Sequence, residues 1–411
     1  MAERKTFLFL QGHHSLFWVR LGDALRAAGH RVLKVRVSGQ DVFYWPRWRD
    51  ATSYRGSKAR WKGWIEDYMR REGVTDVLYY ADRQPWNVDA LAAAKEIGVR
   101  AWTMEFGYLR PDWLTLEPEA MGRFSRFPKD PEAIRALDPG GDWDPMGGET
   151  VFPSAFWEEA QADIGMYFST VAFWGLYPHY RMDIVFDMFT GYYHWIKTLL
   201  KEKRETAEAL AVQTARVSGG EAYNLVAMQV PHDYQIRGSS DYDDYGDMLR
   251  EILESMARAA PPDRRLVMKM HPLDQGYKGY RELIPQWTRE LGLEGRVDLI
   301  RGGDLGALLD RSQGAIMANS TVGVHCIRRG VPVKAMADAI YDVPGLTHQG
   351  DLDTFWTDPA PVDRALAGSF LRAVASEIQV KGSFFNRAGQ DHAIGEVVER
   401  LTKRPYPAWA R

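Results

Sequence analysis

At 411 residues the chain is longer than one ordinary core accommodates, so two domains are expected. Hydrophobic residues at 45% and charged ones at 26% describe a folded globular protein, and a formal charge of -3 removes the global basic field that nucleic-acid binding would require. A single cysteine, Cys326, excludes an internal disulfide and a cysteine-built zinc site and fits a reducing compartment; within a helical pattern it reads as an inert packed thiol.

Met1 to Lys5 lead straight into an apolar run too short for a signal peptide, and no stretch reaches the roughly 20 apolar residues of a membrane span. A cytoplasmic protein is the expectation. Thr6 to Leu10 predicts a strand, Ser15 to Ala28 an amphipathic helix stopped by Gly29, and Val32 to Val37 a second strand. Lys58 to Arg71 predicts a helix, Asp76 to Tyr80 a strand, Val88 to Ile97 an alanine-rich helix and Arg100 to Met104 a fourth strand. Alternation with such caps implies a parallel sheet covered by helices.

From Pro111 to Gly148 the pattern dissolves into Pro, Gly and Asp and reads as loop. The chain carries 15 Trp, 19 Tyr and 17 Phe, many of them between Phe152 and Trp195. The preferred reading is a helical insertion with a large buried face; the other is a surface for lipid or a bulky acceptor. Tyr180 to Ala215 predicts a long helix, and Ser218-Gly219-Gly220 a hinge.

Alternation then restarts. Strands are expected at Asn224 to Val230, Leu266 to Met270, Val297 to Ile300, Ala315 to Ala318 and Val331 to Met336. Helices are expected at Tyr245 to Ala260, Tyr280 to Leu291, Leu305 to Arg311, Val322 to Arg329, Val362 to Ile378 and Asp391 to Thr402. The simplest architecture is α/β, with two Rossmann-like halves whose parallel sheets face each other across a cleft.

Polar clusters close the strands: Gln11-Gly12-His13-His14, Glu105 to Arg110, Gln229 to Asp233, Lys269-Met270-His271-Pro272 and Asn319-Ser320-Thr321. Ligands of open parallel sheets bind at that edge, and helix N-termini there attract phosphate oxygens. A His with a Ser-Thr pair and no glycine-rich loop suggests a nucleotide mono- or diphosphate held without a Walker-type cradle. Each cluster alone has an ordinary reading. His271 can cap a helix, Ser320 can be an N-cap, and Glu105 can pair with Arg110 or Arg100. Adjacent His13 and His14 would point to opposite faces of a strand, a poor metal site. Asp241-Tyr242-Asp243-Asp244 has an Asp-x-Asp spacing but reads as acidic capping of a helix. No Gly-x-Ser-x-Gly elbow and no Gly-x-Gly-x-x-Gly turn is present, which argues against a serine hydrolase and a dinucleotide oxidoreductase.

Taken in order, several blocks carry a resemblance. They are Phe9 to Gly12 with Arg20-Leu21, Gly39-Gln40-Asp41 with Phe43-Tyr44-Trp45, Glu105 to Pro111, and Gln229 to Gln235. Lys269 to Pro272, Asn319 to Gly323, Gly330 to Lys334 and Tyr341 to Thr347 complete the set. Across residues 7–348 the chain resembles the capsule polysaccharide biosynthesis family of KpsS/KpsC-type β-Kdo glycosyltransferases, closest to its single-module KpsS side. The His-Pro and Ser-Thr pairs are also similar to those of bacterial sialyltransferases.

The resemblance implies a GT-B-like fold. An N-terminal acceptor domain, 1–215, would carry the aromatic insertion at about 111–215. A donor domain would cover 216–360, and helices of 361–411 would pack back on the first domain. It implies metal-independent transfer of β-Kdo from CMP-Kdo, without cofactor and with retention, to a phosphatidylglycerol-type lipid or glycolipid acceptor. Such chemistry sits peripherally on the cytoplasmic face of a Gram-negative inner membrane, beside capsule export machinery, and involves no nucleic acid. His271, Ser320 and Thr321 would hold the CMP phosphate, with Lys269, Pro272, Asn319, Gln229 and Tyr341 completing the donor site. Glu105 would be the general acid/base and Asp233 the nucleophile. Gln11, Gly12, Asp41 and Arg110 would contact acceptor or substrate, and Arg110 and Lys334 the donor carboxylate. The chain departs from the family pattern at Phe106, where a second acid is common, leaving Glu105 alone for proton transfer. A CDP-polyol phosphotransferase and a non-catalytic accessory protein of polysaccharide export are the competing readings.

Overall fold

The computed structural model describes residues 4–153, 156–181, 188–230, 240–274, 276 and 278–410. The chain divides into two compact units, one of residues 1–127, 142–183 and 374–411, the other of 128–141 and 184–373.

Unit one opens with β1 (Thr6–Phe9), α1 (Phe17–Ala27), β2 (Arg31–Arg36), α2 (Gly39–Tyr44) and β3 (Ala51–Ser53). It continues through α3 (Trp61–Glu72), β4 (Asp76–Tyr80), α4 (Pro85–Glu96), β5 (Arg100–Phe106) and β6 (Trp113–Pro118). β1 lies between β2 and β4, and β1 to β5 are mutually parallel. Their apolar runs are nearly continuous because helices cover both faces, as Phe7, Leu8 and Phe9 of β1 show by being fully buried.

β6 was not expected. It runs antiparallel to β5, with Glu105 opposite Thr115, and is closed by a late strand β12 (Gln379–Lys381). Trp113 to Pro118 lies in a stretch that reads locally as loop, and the partner on its far side comes from more than two hundred residues away. Pairing of that kind leaves no local periodicity. A short helix, α5 (Pro131–Leu137), also falls in this stretch, N-capped by Asp130, whose side chain accepts from Ala133 N.

α6 (Phe156–Ala172) corrects the expectation that the aromatic insertion is buried. Trp157, Phe168 and Trp174 are 71%, 69% and 63% exposed. Against α2, α6 turns Ala162, Gly165 and Ser169, a face of small residues. The approach is close. A Cβ on Gly39 would lie 2.2 Å from the Ser169 carbonyl oxygen, and Tyr44 Oη donates to Ala162 O at 2.7 Å. Bulk cannot fit on that side, so the large apolar residues point away from it. The part of the expectation falling on residues 182–187 and on the side chains of 188–202 lies outside what the structure describes.

Unit two contains α7 (Met188–Ser218), β7 (Tyr223–Ala227), α8 (Tyr245–Ala259), β8 (Arg265–Lys269) and α9 (Tyr280–Glu290). β9 (Val297–Ile300), α10 (Leu305–Arg311), β10 (Gly314–Met317), α11 (Val322–Arg329), β11 (Val333–Ala335) and α12 (Leu352–Phe355) follow. After them along the chain comes α13 (Arg364–Glu377), and then β12 and α14 (Arg387–Lys403), both of unit one. Asp244 caps α8, its carboxylate accepting from Gly246 N at 2.7 Å, so the acidic run before this helix serves as a cap. Cys326 is fully buried and burial pushes its thiol up.

Gly39→Ala should lower the melting temperature by forcing α6 off α2, a cost of about 1–3 kcal/mol for overpacking. Gly63→Ala on α3, where a Cβ meets nothing within 4 Å, should raise it slightly. Thermal unfolding of both variants checks the pair.

Candidate functional site

The five strands of unit two are parallel and ordered β11-β10-β7-β8-β9. From β7 the chain winds one way to β8 and β9 and later returns to the other side for β10 and β11. The winding reverses between β7 and β10, and open sheets of this kind form their ligand crevice at the carboxyl ends beside such a gap. The residues closing those two strands meet across it. Gln229 Nε2 donates to Asn319 Oδ1 at 3.0 Å, and Asn319 N donates to Gln229 Oε1 at 3.2 Å. Tyr245 Oη accepts from Gln229 N at 2.8 Å, tying the pair to the start of α8.

Ser320 and Thr321 lead from β10 into α11. Ser320 Oγ accepts from Val322 N at 3.3 Å, which leaves its hydroxyl proton to donate outward. Tyr341 is buried, and its hydroxyl donates to the Ser320 carbonyl at 2.7 Å. A Cβ on Gly323 would lie 2.3 Å from the Tyr341 ring, so the glycine lets the ring underpin the helix start. Tyr341 therefore positions Ser320 from beneath.

On the other side of β7, β8 ends at Lys269. Its ammonium is buried, and burial lowers its pKa from the usual value while the Asp304 charge opposes the shift. His271 Nδ1 accepts from Leu273 N at 3.1 Å, placing the neutral ring's proton on Nε2. The following Pro272 carbonyl accepts from Arg301 at 2.8 Å, and Arg301 also reaches Glu205 of α7 at 3.4 Å. Arg301 stands directly after β9, the same position rule that marks His271, yet a lone Arg after a short strand drew no notice. Lys334 Nζ donates to the Gly350 carbonyl at 2.7 Å. Asp233 lies outside the described residues.

In unit one the corresponding reversal falls between β1 and β4. Gln11 is buried there; its carbonyl accepts from Tyr80 N at 3.0 Å and its side chain donates to Tyr180 Oη at 2.8 Å and Ser38 Oγ at 3.3 Å. Gly12 is packed under the Trp18 indole, which a Cβ would strike at 1.9 Å, and its carbonyl accepts from Gln40 at 3.0 Å. His13 and His14 do not diverge as neighbours in a strand would. β1 has already ended, and the two rings stack at 4.2 Å. The other face of His13 stacks on Phe384 at 4.5 Å, with Tyr80, Phe106 and Phe385 edge-on around it. His13 is 1% exposed, and neither ring nitrogen has a hydrogen-bond partner. Burial, with His14 adding to it, holds its pKa well below 6.5.

Glu105 stands near the end of β5, receiving the Tyr80 hydroxyl and its neighbour Phe106 N, the latter at 3.0 Å. The block after it is clamped by the unexpected strands: Gln379 of β12 accepts from Tyr108 N at 2.8 Å, and Tyr108 Oη donates to Glu117 of β6 at 2.7 Å. Burial pushes the Glu117 carboxyl up to about 8. Arg110 is exposed, its guanidinium 5.3 Å from the Phe106 ring centre.

Asp41, expected to contact acceptor or substrate, has an internal place. It is buried against Lys34 at 2.5 Å, and its other oxygen accepts from Val37 N at 2.9 Å and Ser38 N at 3.2 Å, closing a capping box at the start of α2. Both oxygens are committed, so it acts as an internal counter-ion. Among the described residues no helix is long and apolar enough to cross a membrane, and no three of His, Cys, Asp and Glu are grouped as a cation's ligands would be.

Two doubly wound units with polar strand ends define an α/β protein. Residues 75–385 match the capsule polysaccharide biosynthesis protein family, and the chain belongs to it. It is 29% identical over 382 residues to the capsule polysaccharide export protein KpsS of Escherichia coli, covering 93% of this chain and 97% of that one. It is 28% identical over 393 residues to the capsule polysaccharide modification protein LipB of Neisseria meningitidis serogroup A / serotype 4A (strain DSM 15465 / Z2491), covering 94% and 93%. Among solved structures it bears a distant likeness to Thermosulfurimonas dismutans KpsC, a β-Kdo 2,7 transferase, with a TM-score of 0.44 and 15% identity over 97% of this chain and 100% of that one.

The depressed His13 pKa has a consequence for stability. The native ring takes up its proton only well below 6.5, whereas the unfolded one does so near 6.5, so the unfolded state binds more protons in between. Stability present above pH 6.5 is lost as pH falls, by up to about 1.4 kcal/mol per pH unit. His13→Phe, which keeps the ring stack, should flatten that part of the slope between pH 6.5 and 5 in urea titrations compared across the two proteins.

Proposed function

We propose that this member of the capsule family is a metal-independent glycosyltransferase that moves β-Kdo from CMP-Kdo to a phosphatidylglycerol-type lipid, with retention. The observation that carries the reading is the convergence at the unit-two switch point. The Gln229–Asn319 pair, the Ser320 hydroxyl and the α11 N-terminus lie at the ends of β7 and β10, and His271, in its Nε2–H form, follows the adjacent strand β8, all without a glycine-rich loop. A dianionic or monoanionic phosphate needs donors, a partial positive charge and a nearby cation, and this edge supplies each. The nucleotide belongs to unit two, where His271, Ser320 and Thr321 stabilise the CMP leaving group as charge grows on its phosphate, with Lys269 behind them. To Glu105 in unit one falls the proton of the acceptor hydroxyl. Asp233 is assigned the nucleophile. Its carboxylate bonds the anomeric carbon as the bond to CMP breaks, and the deprotonated acceptor oxygen then displaces it. The family membership and the relatives' descriptions support a role in capsule assembly; the donor and acceptor are this reading's own.

Calorimetry with CMP tests the donor assignment. His271→Ala and Ser320→Ala should each weaken binding by about 10- to 100-fold, the value of a hydrogen bond to a charged group. No affinity of the parent protein for CMP ends the reading, and release of CMP from a CDP-linked polyol but not from CMP-Kdo turns it to a phosphotransferase.

Glu105→Gln should lower kcat by about 10²- to 10⁴-fold while leaving CMP affinity unchanged, the pattern of a lost acid/base. Asp233→Asn should abolish transfer with CMP binding intact; full residual turnover removes Asp233 from the mechanism.

A further inference from the structure

α6 is amphipathic the wrong way round for a buried helix. Its small residues face α2, and Trp157, Ile164, Phe168 and Val171, at helical spacings of seven, four and three, form an exposed stripe. Ala160, Gln161 and Ala172 fill the same side, so no charge interrupts it. Exposed Trp174 and Leu176 continue the stripe beyond the helix end, and the exposed Phe43 of α2 widens it, its ring 3.4 Å from where a Gly165 Cβ would stand. The acids of α6 lie elsewhere: Glu158 and Glu159 occupy the first turn, where the helix dipole favours them, and Asp163 pairs with His14 at 2.8 Å. The loop after α2 adds exposed Arg47, Trp48 and Arg49, with Arg47 also paired to Asp23 of α1 and the Trp48 ring supported 4.4 Å from the Arg36 guanidinium. Arg55, His179 and Arg181 are exposed in the neighbouring segments. Large apolar side chains exposed together along one helix face mark an interaction site. Tryptophan at both ends of a stripe, with guanidiniums in the adjoining loops, is the chemistry of a helix lying in a bilayer interface beside anionic headgroups.

We propose that the outward face of α6, with Phe43 and the Arg47–Arg49 loop, docks on an anionic lipid surface. This deepens the lipid-acceptor reading and rests on it for its purpose, while its test reads vesicle binding and not turnover. The full chain should co-sediment with vesicles of phosphatidylglycerol mixed with phosphatidylcholine, and at least tenfold less with phosphatidylcholine alone. The double variant Phe168→Glu/Val171→Glu, at exposed positions, should keep the parent's melting temperature and CMP affinity and lose at least tenfold in vesicle partition. Arg47→Glu/Arg49→Glu should lose the preference for anionic vesicles. The proposal is overturned if the parent ignores both vesicle types, if it binds them equally, or if the α6 variant sediments as the parent does. It is equally overturned if light scattering finds a dimer that the α6 variant dissolves, with no vesicle binding by either. Vesicle binding intact in a protein with no affinity for CMP supports the docking face and sinks the transferase reading instead.

Discussion

A parallel sheet covered by helices on both faces leaves one place for polar chemistry, the row of carboxyl ends, and within that row one gap where the winding reverses. Unit two spends its most specific hydrogen bonds on that gap. The amides of Gln229 and Asn319 close on each other reciprocally, so the ends of β7 and β10 are held at a fixed spacing. Everything that gives the edge its chemistry hangs from this frame. Ser320 follows Asn319 by one residue and is underpinned by Tyr341, and the His271 turn is steadied through Pro272 by Arg301 and Glu205. Side chains placed on rigid strand ends lose little freedom on meeting a ligand, which is why such edges recur as binding sites.

Unit one repeats the strand order with a different solution at its gap. Here the ends of β1 and β4 are filled, not bridged. His13 is packed among aromatic rings, Gln11 is tied to Ser38 and Tyr180, and Asp41 is locked against Lys34. Taking that carboxylate and ammonium out of water is repaid only while both remain, and losing one partner of such a pair costs about 3–5 kcal/mol. The rim is thus stiff beneath, with Glu105 and Arg110 as its polar upper members. Tyr108, Gln379 and Glu117 fix the turn that carries them.

The α2–α6 contact links local sequence to the surface of unit one. Close approach demands glycine and serine on the inner side, and the outer side then carries the bulk. The same residues that make the stretch look like core by composition make it an exposed face in the folded chain.

Much of the framework was legible residue by residue. Apolar runs bounded by Gly and polar caps located β4, β9, α10 and α11 to the residue, because each is specified by its own composition and ends. The clusters at strand ends were legible for the same reason: a strand's last residue is set locally, and the polar residues there have nowhere else to go. β6, β12 and α2 were not: β6 and β12 pair with each other across more than two hundred residues, β6 also pairs with its neighbour β5 through a stretch that reads as loop, and α2 is a six-residue helix held by the Ser38 capping box. Nor could one dimension say which members of a cluster face outward. Asp41 and Tyr341 read as contacts and are internal, while His13 and His14 read as divergent and stack. By itself the sequence determined the alternating α/β pattern, the capsule family and the residue types at the sheet edges, all properties of neighbours along the chain. Only the tertiary structure decided strand order, the Gln229–Asn319 closure and the outward face of α6, because burial and hydrogen-bond pairing are settled between segments that meet only when folded.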